Sequence, residues 1–249
     1  GSRRAVAGIA LHRLFIPRER IGEVVRLLPE ESRHLETVLR LRVGAEVEVF
    51  DGLGSRWQAT MESAGVLRLG RREEAHRGAV DVWLAQGLAK GEKLDLVVQK
   101  ATELGATRIV PLAVGRSVVR LDAQRGQRRA DRFRRIAEQA ARQAGRSDVP
   151  RIDAPSTLAD LAALLRLEPT RRGVLLDPGE RGVRLSQVAR GFPKLLLAVG
   201  PEGGFTPEER DTAVAAGFVA ASLGRIVLRT ETAGLAALAI VQHLAGDLG

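Results

Sequence analysis

LLLAVGPEGGF, residues 195–205, runs an apolar segment into a glycine-rich turn that carries a carboxylate at Glu202. Glycines at positions 200, 203 and 204 let backbone amides approach a ligand without obstruction by side chains. A phosphate-binding loop of this kind ends in Gly-Lys-Ser or Gly-Lys-Thr, whereas Phe205 and Thr206 follow here. The segment therefore predicts a buried strand followed by a ligand-binding turn that does not hold a pyrophosphate.

The carboxylate of Glu202 limits which ligands can bind at this turn. A fixed negative charge repels phosphate groups, but it suits hydroxyl groups or positive charge. The ribose, the ammonium group and the sulfonium of S-adenosylmethionine fit that description. The alternative is a purely structural turn, because Thr206, Pro207 and Glu209 stand at the N-cap, first and third positions of a capping box. Both interpretations are open from this segment alone.

Patterning around this segment predicts an α/β fold in the second part of the chain. From Ala79 onward, apolar strands alternate with segments of helical periodicity, as in layered α/β structures. The first of these strands ends in Gln86-Gly87 without the Gly-x-Gly-x-x-Gly of a dinucleotide-binding fold, so the glycine loop comes late in the chain. The predicted strands are 80–88, 108–114, 173–177, 195–199 and 218–223, and the predicted helices are 92–104, a basic helix after 120, 158–167, 207–217 and one after Thr230.

The first part of the chain has a different pattern. Residues 12–70 contain five short apolar runs, a turn at Asp51–Gly54 and one helix near Pro29, which predicts a small β-barrel with a hairpin at the turn. The composition changes at residues 71–79. We therefore expect two domains, a β-barrel at 10–76 and an α/β domain at 77–249.

The net charge of +9 is concentrated in one block. Residues 116–151 hold eleven basic and four acidic side chains, which is a net +7. On a continuous helix Arg128, Arg132, Arg135, Arg142 and Arg146 would form one stripe opposite an apolar side that includes Phe133, Ile136 and Ala144. A solvated helix face is the ordinary interpretation of such a stripe, but too few acids lie near it to neutralise it, so a nucleic-acid partner is favoured.

Composition also argues against several classes of protein. The chain has no cysteine, and its four histidines show no ligand spacing, so we expect no metal site. No apolar stretch is long enough to cross a membrane, and the first residues lack an apolar signal region. We expect a cytoplasmic protein without a membrane partner.

Six segments give the chain a resemblance to a known family. They are HLETVLRLRVG at 34–44, KGEKLDLVVQKATELGATRIVPL at 90–112, RSVVR at 116–120, RIAEQAARQAGRSDVP at 135–150, AVGPEGGFTPEE at 198–209 and LGRIVLRTETA at 223–233. In this order they resemble the RsmE family, SPOUT-class methyltransferases of small-subunit ribosomal RNA.

The resemblance implies a fold, a reaction and partners. The implied fold is an N-terminal PUA-like β-barrel that binds RNA, followed by a SPOUT domain with a deep trefoil knot, in a homodimer whose active site lies near the subunit interface. The implied reaction transfers a methyl group from S-adenosylmethionine to N3 of a uridine in the decoding region of 16S ribosomal RNA. The implied partners are 16S ribosomal RNA or the small ribosomal subunit.

The resemblance also assigns roles to residues. Arg229 would stabilise negative charge on the uracil, Arg116 would hold a phosphate of the target nucleotide, and Glu202 would orient an arginine rather than act as a base. Arg128, Arg132, Arg135, Arg142, Gln143 and Arg146 would contact the RNA. The expected cofactor-binding residues are Leu176, Asp177, Val199, Gly200, Pro201, Glu202, Gly203, Gly204, Leu223, Gly224, Ile226, Leu228, Thr232 and Ala233.

For single residues, other interpretations are open. Leu223, Ile226 and Leu228 could equally be core residues, and Arg229 could form a salt bridge to Glu231 or Glu202. For the whole protein, two other functions are open: a SPOUT enzyme that acts on transfer RNA or on a ribose, and a non-catalytic RNA-binding protein of ribosome assembly.

Overall fold

The computed structural model describes residues 12–75, 78–87, 93–114 and 123–249, with the side chains of 123–125 left out. It divides into two compact units. The first comprises Gly1–Arg77 with Ala141–Val149, and the second comprises Gly78–Ala140 with Pro150–Gly249. The sequence placed Ala141–Val149 in the second domain. The domain bounds 10–76 and 77–249 themselves stay a prediction.

The first unit contains a five-stranded sheet in the order β1-β3-β4-β5-β2. The strands are β1 His12–Phe15, β2 Val24–Arg26, β3 Glu46–Phe50, β4 Ser55–Ser63 and β5 Val66–Glu74. β1 pairs with β3 in parallel and the other pairs are antiparallel. The five predicted apolar runs correspond to these strands, and alternate β4 side chains such as Trp57, Ala59 and Met61 face the core of this unit.

Two connections in the first unit match the sequence prediction. The helix predicted near Pro29 is α1, Pro29–Arg33, which continues into a π-helical turn at His34–Val38 that buries Leu35. The turn between β3 and β4 is the expected hairpin, and the buried carboxylate of Asp51 accepts hydrogen bonds from the amides of Leu53 and Ser55 at 2.9 and 3.0 Å. This turn is therefore held by its own aspartate.

Ala141–Val149 joins the first unit through Arg13. The Arg13 guanidinium donates hydrogen bonds to the carbonyl oxygens of Ala141, Arg142 and Arg146 at 3.4, 3.3 and 3.1 Å. The carbonyls of Ala141 and Arg142 lie in the last turn of a helix and that of Arg146 follows its end, a position where a cation interacts favourably with the helix terminus.

The second unit is built on a six-stranded sheet in the order β11-β9-β10-β6-β7-β8, in which every pair is parallel. The strands are β6 Asp81–Gly87, β7 Arg108–Leu112, β8 Arg151–Ile152, β9 Arg172–Leu176, β10 Lys194–Val199 and β11 Val219–Ala221. After β6 the chain forms β7 and β8 on one side of β6. The later strands β9, β10 and β11 lie on the other side, where β10 is next to β6. The direction of the connections reverses between β6 and β10.

In the described part of the chain, six helices belong wholly or mainly to this unit. They are α2 Lys93–Glu103, α3 Ala123–Gln143, α4 Leu158–Leu167, α5 Leu185–Val188, α6 Pro207–Ala215 and α7 Thr230–Ala245. Leu161 of α4 and Ala213 of α6 pack in one cluster with Trp83 and Ala85 of β6. α7 packs against β6, β10 and α2.

The last helix, α7, is buried along one side, because Gly234, Ala237, Leu238 and Val241 are all buried. The short elements β8 and α5 were not predicted. The trefoil knot stays a prediction, because sheet order does not report how a chain is threaded.

Candidate functional site

A pocket of about 430 Å³ lies at the carboxyl ends of β9 and β10. Four segments of the second unit line it, namely the start of α2, the turn after β9, the loop after β10 and the segment that leads into α7. The lining residues are Lys93, Leu176, Pro178, Val199, Gly200, Pro201, Glu202, Gly204, Val227, Leu228, Arg229, Thr230, Glu231 and Ala233. In parallel sheets ligands bind at this edge, near the point where the connections reverse direction.

The loop after β10 is tightly folded against the neighbouring strand. A Cβ atom on Gly87, the last residue of β6, would overlap the backbone nitrogen of Pro201, so the two backbones can approach only because position 87 is glycine. Gly204 has a φ of 69°, in the left-handed region that favours glycine. The glycines therefore fix the shape of this wall of the pocket.

The capping box predicted after the glycine loop is also present. The Thr206 hydroxyl accepts from the amide of Glu209 at 3.2 Å, and the Glu209 carboxylate accepts from the amide of Thr206 at 2.9 Å. The segment is thus both a capped strand-to-helix turn and one wall of the pocket, so the two interpretations of the sequence do not exclude each other.

A buried polar contact ties α7 to this loop. The Thr230 hydroxyl donates to the carbonyl oxygen of Gly200 and accepts from Nε2 of Gln86 at 3.0 Å. Gln86 and Thr230 are both buried. The end of β6, the loop after β10 and the start of α7 are therefore fixed to one another.

Three charged side chains form a cluster at the pocket wall. Nζ of Lys93 lies 2.6 Å from Oε1 of Glu202 and 3.6 Å from Oε1 of Glu231. The hydrogen bond to Glu202 raises the pKa of Lys93, so this side chain remains a cation. Among the described residues the cation paired with Glu202 is Lys93, and the expectation that Glu202 orients an arginine stays a prediction. We refer to Lys93, Glu202 and Glu231 as the acidic cluster.

Arg229 stands beside the acidic cluster without joining it. It is the N-cap residue of α7, is exposed, and lines the pocket. Within the described ranges its guanidinium makes no ion pair or side-chain hydrogen bond. The alternative interpretation, a salt bridge to Glu202 or Glu231, is not what the structure has, because both carboxylates pair with Lys93.

The structure brings some of the predicted cofactor-binding residues to the pocket wall and leaves others away from it. Those that line it are Leu176, Val199, Gly200, Pro201, Glu202, Gly204, Leu228 and Ala233. Those that do not line it are Asp177, Gly203, Leu223, Gly224, Ile226 and Thr232. The Asp177 carboxylate is engaged elsewhere, since it pairs with Nε of Arg210 at 2.8 Å and accepts from the amide of Gly179 at 2.7 Å.

The predicted RNA-binding residues fall into two groups. In the second unit Arg128, Arg132 and Arg135 are exposed on α3, and Arg132 forms an ion pair with Asp95. The apolar side behind them is buried at Phe133 and half-buried at Ile136.

In the first unit Arg142 is half-buried and Gln143, the last residue of α3, is exposed. The prediction that Arg146 continues the stripe is wrong, because α3 ends at Gln143. The Arg146 guanidinium is paired with Asp148 at 2.6 Å, and its side chain is only 13% exposed. Ala144, expected on the buried side of the helix, lies beyond its end and is exposed. Arg116, expected to hold a phosphate, lies outside the described residues.

Sequence reasoning missed five pocket residues: Lys93, Pro178, Val227, Thr230 and Glu231. Four of them adjoin predicted residues in the chain. Lys93 lies shortly after the carboxyl end of β6, and parallel strands deliver such segments to one edge of a sheet, so strand order was the signal that could have found it.

Two further kinds of feature are absent from the described parts of the chain. No helix there combines the length and apolar character that a bilayer span demands. No group of three or more histidine, aspartate or glutamate side chains there is placed to hold a metal ion.

Comparisons with known proteins agree with this architecture. Residues 76–242 match the family model of an RNA methyltransferase domain, and residues 27–65 match that of an RNA methyltransferase PUA domain. The ribosomal RNA small subunit methyltransferase E of Bacillus subtilis is 31% identical over 226 residues, which cover 86% of this chain and 88% of the relative. That of Mycobacterium bovis is 33% identical over 228 residues, which cover 88% and 86%.

A solved structure is similar over nearly the whole chain. The ribosomal RNA small subunit methyltransferase E of Neisseria gonorrhoeae, bound to S-adenosylmethionine, superimposes with a TM-score of 0.82 at 30% identity and covers 94% of this chain and 98% of its own. The predicted fold class, a SPOUT-type α/β methyltransferase domain after a PUA-like domain, is confirmed. The chain belongs to the RNA methyltransferase family whose curated members are named ribosomal RNA small subunit methyltransferase E.

Proposed function

We propose that this protein uses S-adenosylmethionine to methylate N3 of a uridine in the decoding region of 16S ribosomal RNA. The observation that carries the proposal is the pocket at the carboxyl ends of β9 and β10, with the glycine loop as one wall and Arg229 at its side. Family membership and the cofactor named for the Neisseria relative support the choice of ligand.

The residues at the pocket suit an adenosyl ligand. Its volume of about 430 Å³ lies within the usual range for small-molecule sites. Leu176, Val199 and Leu228 provide apolar wall for an adenine ring, and Gly200 and Gly204 let the backbone approach it. The acidic cluster offers carboxylate oxygens on one side. When bound, the cofactor would supply an electrophilic methyl carbon.

Arg229 is the side chain we assign to the chemistry of the base. Uridine N3 becomes nucleophilic when it loses its proton, and the resulting negative charge spreads over O2 and O4. A guanidinium beside one of these oxygens stabilises that charge in a site with little water. Arg229 is available for this role because it makes no ion pair in the described part of the chain, whereas Glu202 is held by Lys93.

RNA binding and dimerisation complete the proposal. The exposed arginines of α3 would hold phosphates of the substrate RNA, 16S ribosomal RNA or the small subunit, and the PUA-like unit would add contacts. The expected homodimer would cover Ile226 and Val227, which are 78% and 73% exposed next to Leu228 and Arg229 of the pocket wall. Exposed apolar side chains beside a functional pocket are typical of a surface that a partner covers.

The product of the reaction tests the proposal. Purified protein is incubated with cofactor labelled in the methyl group and with small subunits that lack the modification, and in parallel with deproteinised 16S RNA and with transfer RNA. The RNA is then digested and the labelled nucleoside identified. Label in N3-methyluridine from 16S RNA is the expected result. Label on a ribose, on another base or only in transfer RNA contradicts the proposed specificity, and no label with any RNA contradicts the activity.

A further inference from the structure

One oxygen atom at the pocket has no hydrogen-bond partner among the described residues. Oε2 of Glu231 is buried, and no hydrogen-bond donor among the described residues reaches it. The Glu231 side chain as a whole is 16% exposed and lines the pocket. A buried acceptor without a donor is unfavourable, and a buried carboxylate more so, unless a ligand supplies the missing hydrogen bond.

The other oxygen of this carboxylate is accounted for. Oε1 of Glu231 lies 3.6 Å from Nζ of Lys93, and the same ammonium lies 2.6 Å from Oε1 of Glu202. Lys93 therefore lies closer to Glu202 than to Glu231. Oε2 is an unpartnered atom of a carboxylate whose nearest described cation lies closer to Glu202, so the group that suits it best donates a hydrogen bond and carries positive charge.

The chemistry of an adenosyl cofactor narrows what can fill this position. The sulfonium carries positive charge but has no N–H or O–H to donate. A ribose hydroxyl donates but carries no charge. The α-ammonium group of the amino-acid part supplies both, as a charge-assisted donor.

We propose that Glu231 accepts a hydrogen bond from the α-ammonium group of the cofactor through Oε2, while Lys93 holds its other oxygen. The inference rests on the proposed use of S-adenosylmethionine and extends it to the part of the pocket that recognises the amino acid. It makes Glu231 a residue that selects ligands with a free amino group.

A structural role for the same carboxylate must be separated from this one. Glu231 is the second residue of α7, where a negative charge stabilises the helix N-terminus. Glu208 holds the same position in α6, is exposed, and does not line the pocket. Glu208→Gln is therefore the matched control for the loss of a carboxylate in a first helical turn.

The experiment measures binding of two ligands by calorimetry. S-adenosylhomocysteine has the amino-acid part, and 5′-methylthioadenosine keeps the adenine, ribose and sulfur without it. We expect Glu231→Gln to raise the Kd of S-adenosylhomocysteine about tenfold or more and to change that of 5′-methylthioadenosine by less than about twofold. Glu208→Gln should change neither.

Two other binding results for Glu231→Gln would contradict this assignment. Equal weakening of both ligands places Glu231 at the ribose or adenine, and no weakening of either removes it from ligand binding. If Glu231→Gln melts well below the unchanged protein, Glu231→Asp replaces it, since this variant keeps the charge but is shorter by one methylene and should show the same selective loss. Failure of the unchanged protein to bind either ligand would instead contradict the proposed function, so the two failures are distinguishable.

Discussion

The Thr230 hydroxyl donates a hydrogen bond to the carbonyl oxygen of Gly200, which joins the first turn of α7 to the glycine loop after β10. The two residues are 30 positions apart in the chain, and the contact is buried. Through the same oxygen Thr230 accepts from Gln86 Nε2 at 3.0 Å at the end of β6. Three elements that contribute to the pocket or support it therefore depend on one hydroxyl group.

Replacing that hydroxyl should loosen the pocket. Thr230→Val keeps the shape of the side chain but leaves the Gly200 carbonyl without its donor and removes an acceptor from Gln86. We expect the free energy of unfolding to fall by about 1–3 kcal/mol, because buried polar groups lose partners. Urea denaturation followed by circular dichroism measures this change.

A matched threonine serves as the control for Thr230. Thr212→Val removes an exposed hydroxyl that donates to the Glu208 carbonyl oxygen at 2.7 Å on α6, and it should change stability by less than about 0.5 kcal/mol. If both variants lower the free energy of unfolding equally, the buried contact of Thr230 contributes no more to stability than the exposed one of Thr212.

Asp81 should make stability depend on pH. Burial of its carboxyl opposes ionisation, but hydrogen bonds from Arg171, at 2.5 Å, and from Thr107 outweigh this effect, so the pKa of Asp81 lies below its ordinary value. The contribution of Asp81 to stability is then fully present above its unfolded pKa of about 3.9 and is lost as the pH falls through the lower folded-state pKa.

The comparison with Asp81→Asn isolates this contribution. The difference in unfolding free energy between the two proteins should be constant from about pH 7 to about pH 5 and shrink steadily below about pH 4. Urea unfolding at each pH provides the values. A difference that grows as the pH falls has the opposite sign and would exclude a lowered pKa.

The exposed arginines on α3 should determine how RNA affinity responds to salt. Each phosphate contact contributes roughly 0.7–0.9 to the slope of log K against log salt. Replacing Arg128, Arg132 and Arg135 with glutamine should therefore reduce that slope by at most about 2–3, and by less if the pair with Asp95 already occupies Arg132. Filter binding at several salt concentrations measures the slope.

A second triple variant keeps the same change in net charge. It replaces three exposed arginines of the second unit that are not on α3: Arg166, Arg181 and Arg190. The α3 prediction fails if both triple variants reduce the slope equally, since total charge rather than position would then explain the effect.

Ile226 and Val227 should be required for the proposed dimer. Replacing both with serine removes apolar surface that is exposed in the single chain, so the subunits should separate at micromolar concentration. Size-exclusion chromatography with light scattering gives the mass directly. Leu167→Ser is the control, because Leu167 is 79% exposed at the end of α4, away from the pocket wall. A double variant that keeps the mass of a dimer would place the interface elsewhere.

The sequence predicted regular elements well because their signals are local. The helix Leu158–Leu167 has the predicted bounds, since Thr157 and Asp160 form a capping box at its start and the apolar residues repeat with helical spacing. The identity of the two domains came from resemblance, not from periodicity. The strand β8 was not predicted because two residues are too few to show a strand pattern.

Two errors about charged residues have different causes. Lys93 was missed because its partner Glu202 lies 109 positions away, and no local pattern reports such a pair. Arg146 was assigned to the helix although a stop signal precedes it. Gly145 has a φ of 74°, and the Arg146 amide donates to the Ala141 carbonyl at 3.0 Å, which is the Schellman ending of a helix. Gly145 is evident in the sequence, and it should have excluded Arg146 from the predicted helix.

Arg229 should separate catalysis from cofactor binding. If its guanidinium stabilises charge that develops on the uracil, Arg229→Ala removes an interaction made only in the transition state, and kcat should fall by about 10²–10³-fold. The Kd for S-adenosylhomocysteine should stay within about twofold, because the exposed arginine contributes neither apolar wall nor loop structure to the pocket.

Arg225 provides a control on the same segment as Arg229. It is exposed and does not line the pocket, so Arg225→Ala removes the same charge near the site and should leave kcat nearly unchanged. Single-turnover methylation of small subunits measures the chemical step, and calorimetry measures cofactor affinity. Parallel loss of turnover and affinity in Arg229→Ala would make Arg229 a structural part of the pocket. Equal loss of turnover in both variants would indicate that the positive charge of the segment, and not the position of one guanidinium, supports the reaction.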